Sequence, residues 1–176
     1  ADRDGLGALS LASLASTLGV RSPSLYNHVD GLAGLRRQLT FHTCSLLAVE
    51  LVDSVDGLEG IGALRAVAEQ LRSFAHRHPG LYDTLLPAPT PDEDPELAAA
   101  LREPVTVVAS VLEGMDVDPT TVVPLIRALR ASVHGFVDLE LRGGFGLPDD
   151  IDDSFITTID LVIEAIATHS TTGVGS

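Results

Sequence analysis

The stretch LASLASTLGVRSPSLYNHV, Leu11 to Val29, constrains this chain more than any other part of it. It reads as a short helix stopped by a glycine and followed at once by a second helical run that is mostly small and polar. Ser10 is placed to cap the first helix, about 11–18, because its hydroxyl can accept an amide proton that a first turn leaves unpaired. Gly19 ends that helix, where a residue at positive φ is needed and glycine adopts it without steric cost. Arg21-Ser22-Pro23 opens the second helix, with proline tolerated in a first turn. Two helices crossing steeply through a three-residue turn need a small side chain where they touch, and Ala15 supplies it. Leu14, Leu18, Val20 and Leu25 are expected to fill the interior beside it. Ser22, Ser24, Tyr26, Asn27 and His28 are left for the outward face of the second helix, and a polar, donor-rich face of this kind suits contact with DNA.

Periodicity extends the helical reading to the rest of the chain. After Asp30-Gly31 a long helix is expected to about Val52, with Leu32, Leu35, Leu39, Leu46, Leu47 and Leu51 at helical spacing. Another spans roughly Leu58–His76, with Leu64, Val67, Leu71 and Phe74 on one face, and His78-Pro79-Gly80 stops it. A helical turn around Leu81–Leu86 leads to PAPTPDEDPE, a proline-rich acidic loop. Asp94-Pro95-Glu96 and Asp118-Pro119 each read as cap, proline and helix start, opening helices near 95–115 and 119–142. Pro104 and Pro124 then fall inside helices, where each removes one backbone hydrogen bond and is expected to kink the axis, leaving room for a pocket. RGGFG closes the second of these helices. Asp149, Asp150, Asp152 and Asp153 place negative charge at the start of a last helix, about 151–168. No alternating strand pattern occurs, so the expected fold class is all-α, with a helix-turn-helix head over residues 1–42 and a larger helical body over 43–176.

Charge separates these two parts further. The net charge is −14, and all eleven basic residues are arginines. Residues 1–42 hold Arg3, Arg21, Arg36 and Arg37 against three aspartates, a balance of +1, so nearly all the acidity belongs to the body. Phosphate repels such a body, and only the head could approach nucleic acid. The opening ADRDG reads as the end of a helix, so a first head helix is expected upstream. Apolar residues make up 45% of the chain, enough to fill a core. The single cysteine excludes a disulfide framework and fits a reducing compartment. With no apolar run of membrane-spanning length and no signal peptide, a soluble, cytoplasmic protein is expected.

Sites for chemistry are sparse. His76 and His78 stand two apart on a helix that is ending, so they point to different faces and read as surface histidines rather than metal ligands. The aspartates of 149–153 lack the glycine and terminal glutamate of a calcium loop, and capping accounts for them. Cys44 lies in an apolar run and reads as a small core residue. The serines at 10, 13, 16, 22 and 24 have no nucleophile-elbow context. No enzyme activity, metal or cofactor is expected. His134, beside Gly135 in ASVHGFVDLEL, reads either as a satisfied core or interface histidine or as a polar anchor in an apolar ligand cavity.

The run SLASLASTLGVRSPSLYNHVDGLAGL resembles the DNA-binding head of the tetracycline-repressor (TetR) family, above all in Leu18-Gly19-Val20 followed by Leu25-Tyr26 and His28. VHGFVDLELRGGFGLP followed by DDSF is similar to the WHG-type C-terminal ligand domain of one branch of that family, although this chain contains no tryptophan. The resemblance implies a dimeric repressor with a three-helix head, whose first helix is largely missing here, and a body that binds a small effector. It implies base contacts near Ser22 and Ser24 and phosphate contacts from Tyr26 and His28. Many relatives carry a lysine near the start of the following helix. Leu32 stands there, so Arg36 or Arg37 is expected to substitute from the next turn. All-α enzymes and helical dimers that no longer bind DNA are the rival classes.

Three expectations follow for the sites. Ser22, Ser24 and Asn27 read bases in double-stranded operator DNA, with Arg21 leading into that face, while Tyr26, His28 and Arg36 hold phosphates. A homodimer forms on the last two long helices, which carry the apolar stripes Leu125, Leu129, Val133, Phe136 and Phe155, Ile159, Val162, Ile166, one stripe serving its own core and the surplus the partner. A mainly apolar effector binds in the body against Leu71, Phe74, Val108, Leu112 and Leu129, with His134 as its polar anchor.

Overall fold

The structure is a computed structural model that describes residues 1–3 and 5–169. The first helix, α1 (Leu11–Leu18), starts with a reciprocal cap. The Ser13 amide donates to Ser10 Oγ at 3.1 Å and the Ser10 amide donates to Ser13 Oγ at 3.3 Å. It ends at Gly19, with φ at +67°. The Gly19 amide donates to the Ser16 carbonyl and that of Val20 to the Ala15 carbonyl, the pair of bonds that closes a helix through a left-handed residue. Helix α2 (Ser22–Leu25) is a single regular turn, shorter than the sequence suggests. The chain continues in tighter turns, with the amides of both His28 and Val29 donating to the Leu25 carbonyl at 2.9 and 3.0 Å. Asn27, His28 and Asp30 are weak helix formers, and the Arg21–Asp30 segment is therefore a helical turn with an irregular end.

Leu11, Ala15 and Leu25 form the buried centre of the head, with Leu14, Val29 and Leu35 packed against it. Leu18 and Val20 were expected there but are 58% and 44% exposed. The one-turn α2 is too short to cover the C-terminal end of α1.

Seven further helices follow among the described residues: α3 (Gly31–Val55), α4 (Gly60–Arg77), α5 (Pro79–Tyr82) with a 3-10 turn behind it, α6 (Pro95–Ala100), α7 (Glu103–Glu113), α8 (Val122–Leu141) and α9 (Ile151–Ala167). The described residues contain no strand, and none of their helices is long and apolar enough to cross a membrane. Two expected features are corrected. The helix of 95–115 is two helices, because Pro104 has no amide to donate toward Ala100 and disfavours helical geometry before it. The chain turns at Leu101-Arg102 and restarts with Pro104 in the first turn of α7. The helix of 119–142 starts only at Val122, since Asp118 accepts from the Thr120 amide at 2.8 Å in a local turn, and Pro124 falls in the first turn of α8. Neither proline interrupts a helix interior, so neither loosens the packing. Elsewhere the caps fall where the sequence places them. Asp94 accepts from the Leu97 amide at the start of α6, and Asp150 accepts from the amides of Asp152 and Asp153 at the start of α9.

The chain divides into two compact units, Ala1–Leu47 with Arg77–Glu103 and Ala48–His76 with Pro104–Ser176. In the second unit α8 and α9 pack together, and Leu64, Val67, Phe74, Leu112, Leu129, Val133, Phe155, Ile159, Ile163 and Ile166 are almost completely buried. A fully buried side chain of this size contributes roughly 1.5–3 kcal/mol relative to its exposed state. In the first unit Cys44 is fully buried, and that burial, with the charge of Glu103 behind it, pushes its thiol up to about 11, which suits an inert core residue.

Candidate nucleic-acid interface

The surface built by α1, α2 and the turn after it carries the side chains singled out in the sequence. Arg21, Ser24, Tyr26, Asn27 and His28 are exposed, and Ser22 is half-buried at the first position of α2. Tyr26, 63% exposed, has a large apolar ring with no share in the core, the kind of residue whose cost in water a partner removes. Leu25 between them is buried and anchors the segment to Leu11 and Ala15. Gln38, two turns into α3, donates from Nε2 to the His28 carbonyl at 3.2 Å and ties the end of the Arg21–His28 segment to that helix.

Two arginines were candidates for the phosphate contact that Leu32 cannot make, and the geometry separates them. Arg36 is exposed, with Nη2 within 3.3 Å of the Leu6 carbonyl. Arg37 is committed elsewhere. Its Nε donates to Asp94 Oδ2 at 2.6 Å, and its Nη2 donates to Asp94 Oδ1 at 3.0 Å and Glu96 Oε2 at 2.8 Å. That fork, together with the Leu97 amide, holds the Asp94 carboxyl down to about 2. The unit that contains the head carries six arginines against nine acids once residues 77–103 are counted with it. Arg21 and Arg36 are among its exposed arginines, with Arg3, Arg77 and Arg102.

In the second unit the proposed effector walls lie deep. Phe74, Leu112 and Leu129 are nearly inaccessible, Val108 is 6% exposed, and Leu71 is half-buried. His134 is half-buried, with its Nδ1 shielded from solvent. The two stripes assigned in the sequence to core and dimer both belong to the core: Leu125, Leu129, Val133, Phe136, Phe155, Ile159 and Ile166 are all buried, and Val162 half-buried, within one chain. The exposed residues of α8 and α9 mix small and apolar side chains with Arg127, Arg130, Thr157 and Glu164. Ala128, Ala131 and Gly135 of α8 are exposed, as is Leu161 of α9 at 65%. Beside them Ala131, Gly135, Leu139, Phe145, Leu147 and Thr158 line a groove of about 590 Å³.

The sequence reading missed a charged node in the same unit. Arg72 of α4 pairs with Glu140 of α8 and with Asp152 of α9, the latter at 2.6 Å, and His76 Nε2 lies 2.9 Å from Glu140 Oε2. The Arg72 guanidinium stands 4.6 Å from the centre of the Phe155 ring, and Phe136 meets Phe155 edge-on at 5.2 Å and Phe145 at 4.6 Å. The motif VHGFVDLELRGGFG thus supplies Phe136, Glu140 and Phe145, and DDSF supplies Asp152 and Phe155. Its physical content is a clamp of α4 on the α8–α9 pair. An arginine two residues before Phe74 on an otherwise apolar face was the available signal. His76 bonds Glu140 and His78 bonds Asp2, and among the described residues no three metal-ligating side chains come together.

Residues 64–162, more than half of the chain, match the family model described as tetracyclin repressor-like, C-terminal domain. The chain belongs to the tetracycline-repressor-like (TetR) family. Two curated relatives agree with this placement. An uncharacterized HTH-type transcriptional regulator of Mycobacterium tuberculosis is 35% identical over 173 residues, spanning 94% of this chain and 74% of the relative. YobS of Bacillus subtilis, also an uncharacterized HTH-type transcriptional regulator, is 32% identical over 90% of this chain and 82% of its own length. A Rhodococcus protein of unknown function shares the fold, with a TM-score of 0.75 at 20% identity over 94% of this chain and 88% of that one. This TetR-type transcriptional regulator is all-α, as its sequence implies, and its matched segment includes the Arg72–Glu140–Asp152 clamp.

Proposed function

We propose that the chain is a dimeric repressor that binds operator DNA through residues 1–42 and is released by a small, mainly apolar effector held in residues 43–176. The observation that carries this reading is the exposed polar surface of Arg21–His28, braced from beneath by Leu25 and Ala15 and following the left-handed Gly19 that ends α1. Ser22, Ser24 and Asn27 contact base edges, and Tyr26, His28 and Arg36 hold phosphates. The exposed small residues of α8 and Leu161 of α9 support a two-fold dimer, because helices approach closely at alanine and glycine and Leu161 then leaves water. Two reading turns related by that axis contact successive major-groove faces of a palindromic site.

The effector walls are Leu71, Phe74, Val108, Leu112 and Leu129, with His134 as anchor. Their apolar character favours an apolar guest, which must bind the released state more tightly than the bound one to act. The test is nuclease footprinting of the full chain on the duplex upstream of its own coding region. The expected result is a protected two-fold site of two half-sites about one helical turn apart. No protection at concentrations where the protein is folded would favour a helical dimer without DNA binding, or an enzyme.

A further inference from the structure

Along α3, behind the reading turn, Arg37, Thr40 and Thr43 recur at three-residue spacing and mark one strip of helix surface. Every one of them is tied to the segment from Thr84 to Glu96. Arg37 makes the fork to Asp94 and the bond to Glu96, with the Phe41 ring 4.7 Å beneath its guanidinium. Thr40 Oγ1 donates to the Arg36 carbonyl at 3.0 Å and lies 3.4 Å from the Thr84 carbonyl, and Thr84 Oγ1, which donates to the Leu81 carbonyl at 2.6 Å, lies 3.1 Å from Thr43 Oγ1, all three threonines being buried. Asp94 is doubly used. Its Oδ1 also accepts from the Leu97 amide at 3.0 Å, so the carboxylate that caps α6 is the one that grips α3. Apolar contacts tolerate sliding, whereas a row of paired polar groups matches in only one register. The same helix carries Gln38, bonded to the His28 carbonyl, and Leu35, packed on the head core. Register along this seam therefore sets where the reading turn points.

We propose that Arg37 and Asp94 are positioning residues for DNA recognition, pinning α3 to the start of α6 and so aiming the Arg21–His28 turn, with Arg37 itself making no phosphate contact. This rests on the DNA-binding function proposed above. Asp94→Asn isolates the pair, because asparagine caps a helix about as well as aspartate and removes only the charge. Arg37→Gln removes the other side.

The full chain and both variants are titrated against two probes, the upstream duplex and a mixed-sequence duplex of equal length, across a range of salt. Each variant should lose about threefold to tenfold in affinity for the upstream duplex, with the double variant no worse than either. Affinity for the mixed-sequence duplex and the salt slope should not change. Were Arg37 a phosphate contact, Arg37→Gln would lower the salt slope by about one and Asp94→Asn would tighten binding to both duplexes. Either result overturns the proposal, as does unchanged affinity for the upstream duplex in both variants. Amide hydrogen exchange provides a readout that needs no DNA: residues 35–43 and 95–100 should exchange faster together in each variant, and unaltered exchange overturns the pin. If the wild type binds neither duplex, the repressor reading fails, while exchange still decides whether the pair holds α3 to α6.

Discussion

At Gly19 the backbone sits at φ +67°, and nothing beyond its own chain neighbours comes within 4 Å of where a β-carbon would stand. A substitution there therefore meets no crowding, only the penalty that L-residues carry in left-handed geometry. Gly19→Ala should lower stability by about 1–2 kcal/mol, measured by denaturant unfolding, without changing the body's helices. The glycine, its serine cap and the polar run after it were legible in the sequence because each is decided by its immediate neighbours. Arg72 was not, since its partners lie 68 and 80 residues away. With side-chain exposures of 17% and 11% for Arg72 and Glu140, removing the guanidinium leaves His76 as the remaining partner of Glu140. Arg72→Met should cost about 1.5–3 kcal/mol in the same assay. The pair also sets an acid limit. Arg72, and more weakly His76, hold the Glu140 carboxyl below its ordinary range. The unfolded chain takes up that proton first, so the stabilisation is complete above the ordinary value of 4.5 and is lost as pH falls through the lowered folded value. Thermal midpoints of Glu140→Gln should fall less steeply than those of wild type between neutral pH and pH about 3.

Helices were legible where the pattern is local and long, and less so where a proline decides between two outcomes. The ends of α1 and α9 fall within one residue of their sequence readings. Pro104 could have kinked one helix or started another. What decides is the preceding residue's backbone, which periodicity does not record, and the chain breaks at Leu101-Arg102. The apolar stripes of α8 and α9 show a related limit. Spacing identifies a buried face, but not whether the burial occurs within one chain or between two, and here both stripes serve the single chain. The dimer prediction therefore moves to the opposite side. Leu161→Arg should convert dimer to monomer in light scattering at micromolar protein while circular dichroism stays unchanged, because Leu161 is 65% exposed and supports no core. A Leu161→Arg protein that remains dimeric would place the interface elsewhere.

For the molecule as a whole, the acidic balance indicated that only a small surface could meet DNA. The seam between α3 and the 84–96 segment narrows that surface further, since it removes Arg37 from the charges available to phosphate. The effector is tested at the same scale. Among small apolar compounds that release the wild-type protein from its upstream duplex, Val108→Trp should lose the response and keep DNA binding, because the indole occupies space at a buried wall position. Normal release by such a compound would move the site. The central claim is that Arg21–His28 reads DNA, and fluorescence anisotropy of the labelled upstream duplex, titrated with wild type, Tyr26→Ala and Asn27→Ala, tests it most directly. Wild type should bind saturably. Asn27→Ala should lose about 1–3 kcal/mol on the upstream duplex alone, and Tyr26→Ala should weaken binding to every duplex alike. Wild-type affinity in both variants, with their fold intact, would contradict the account.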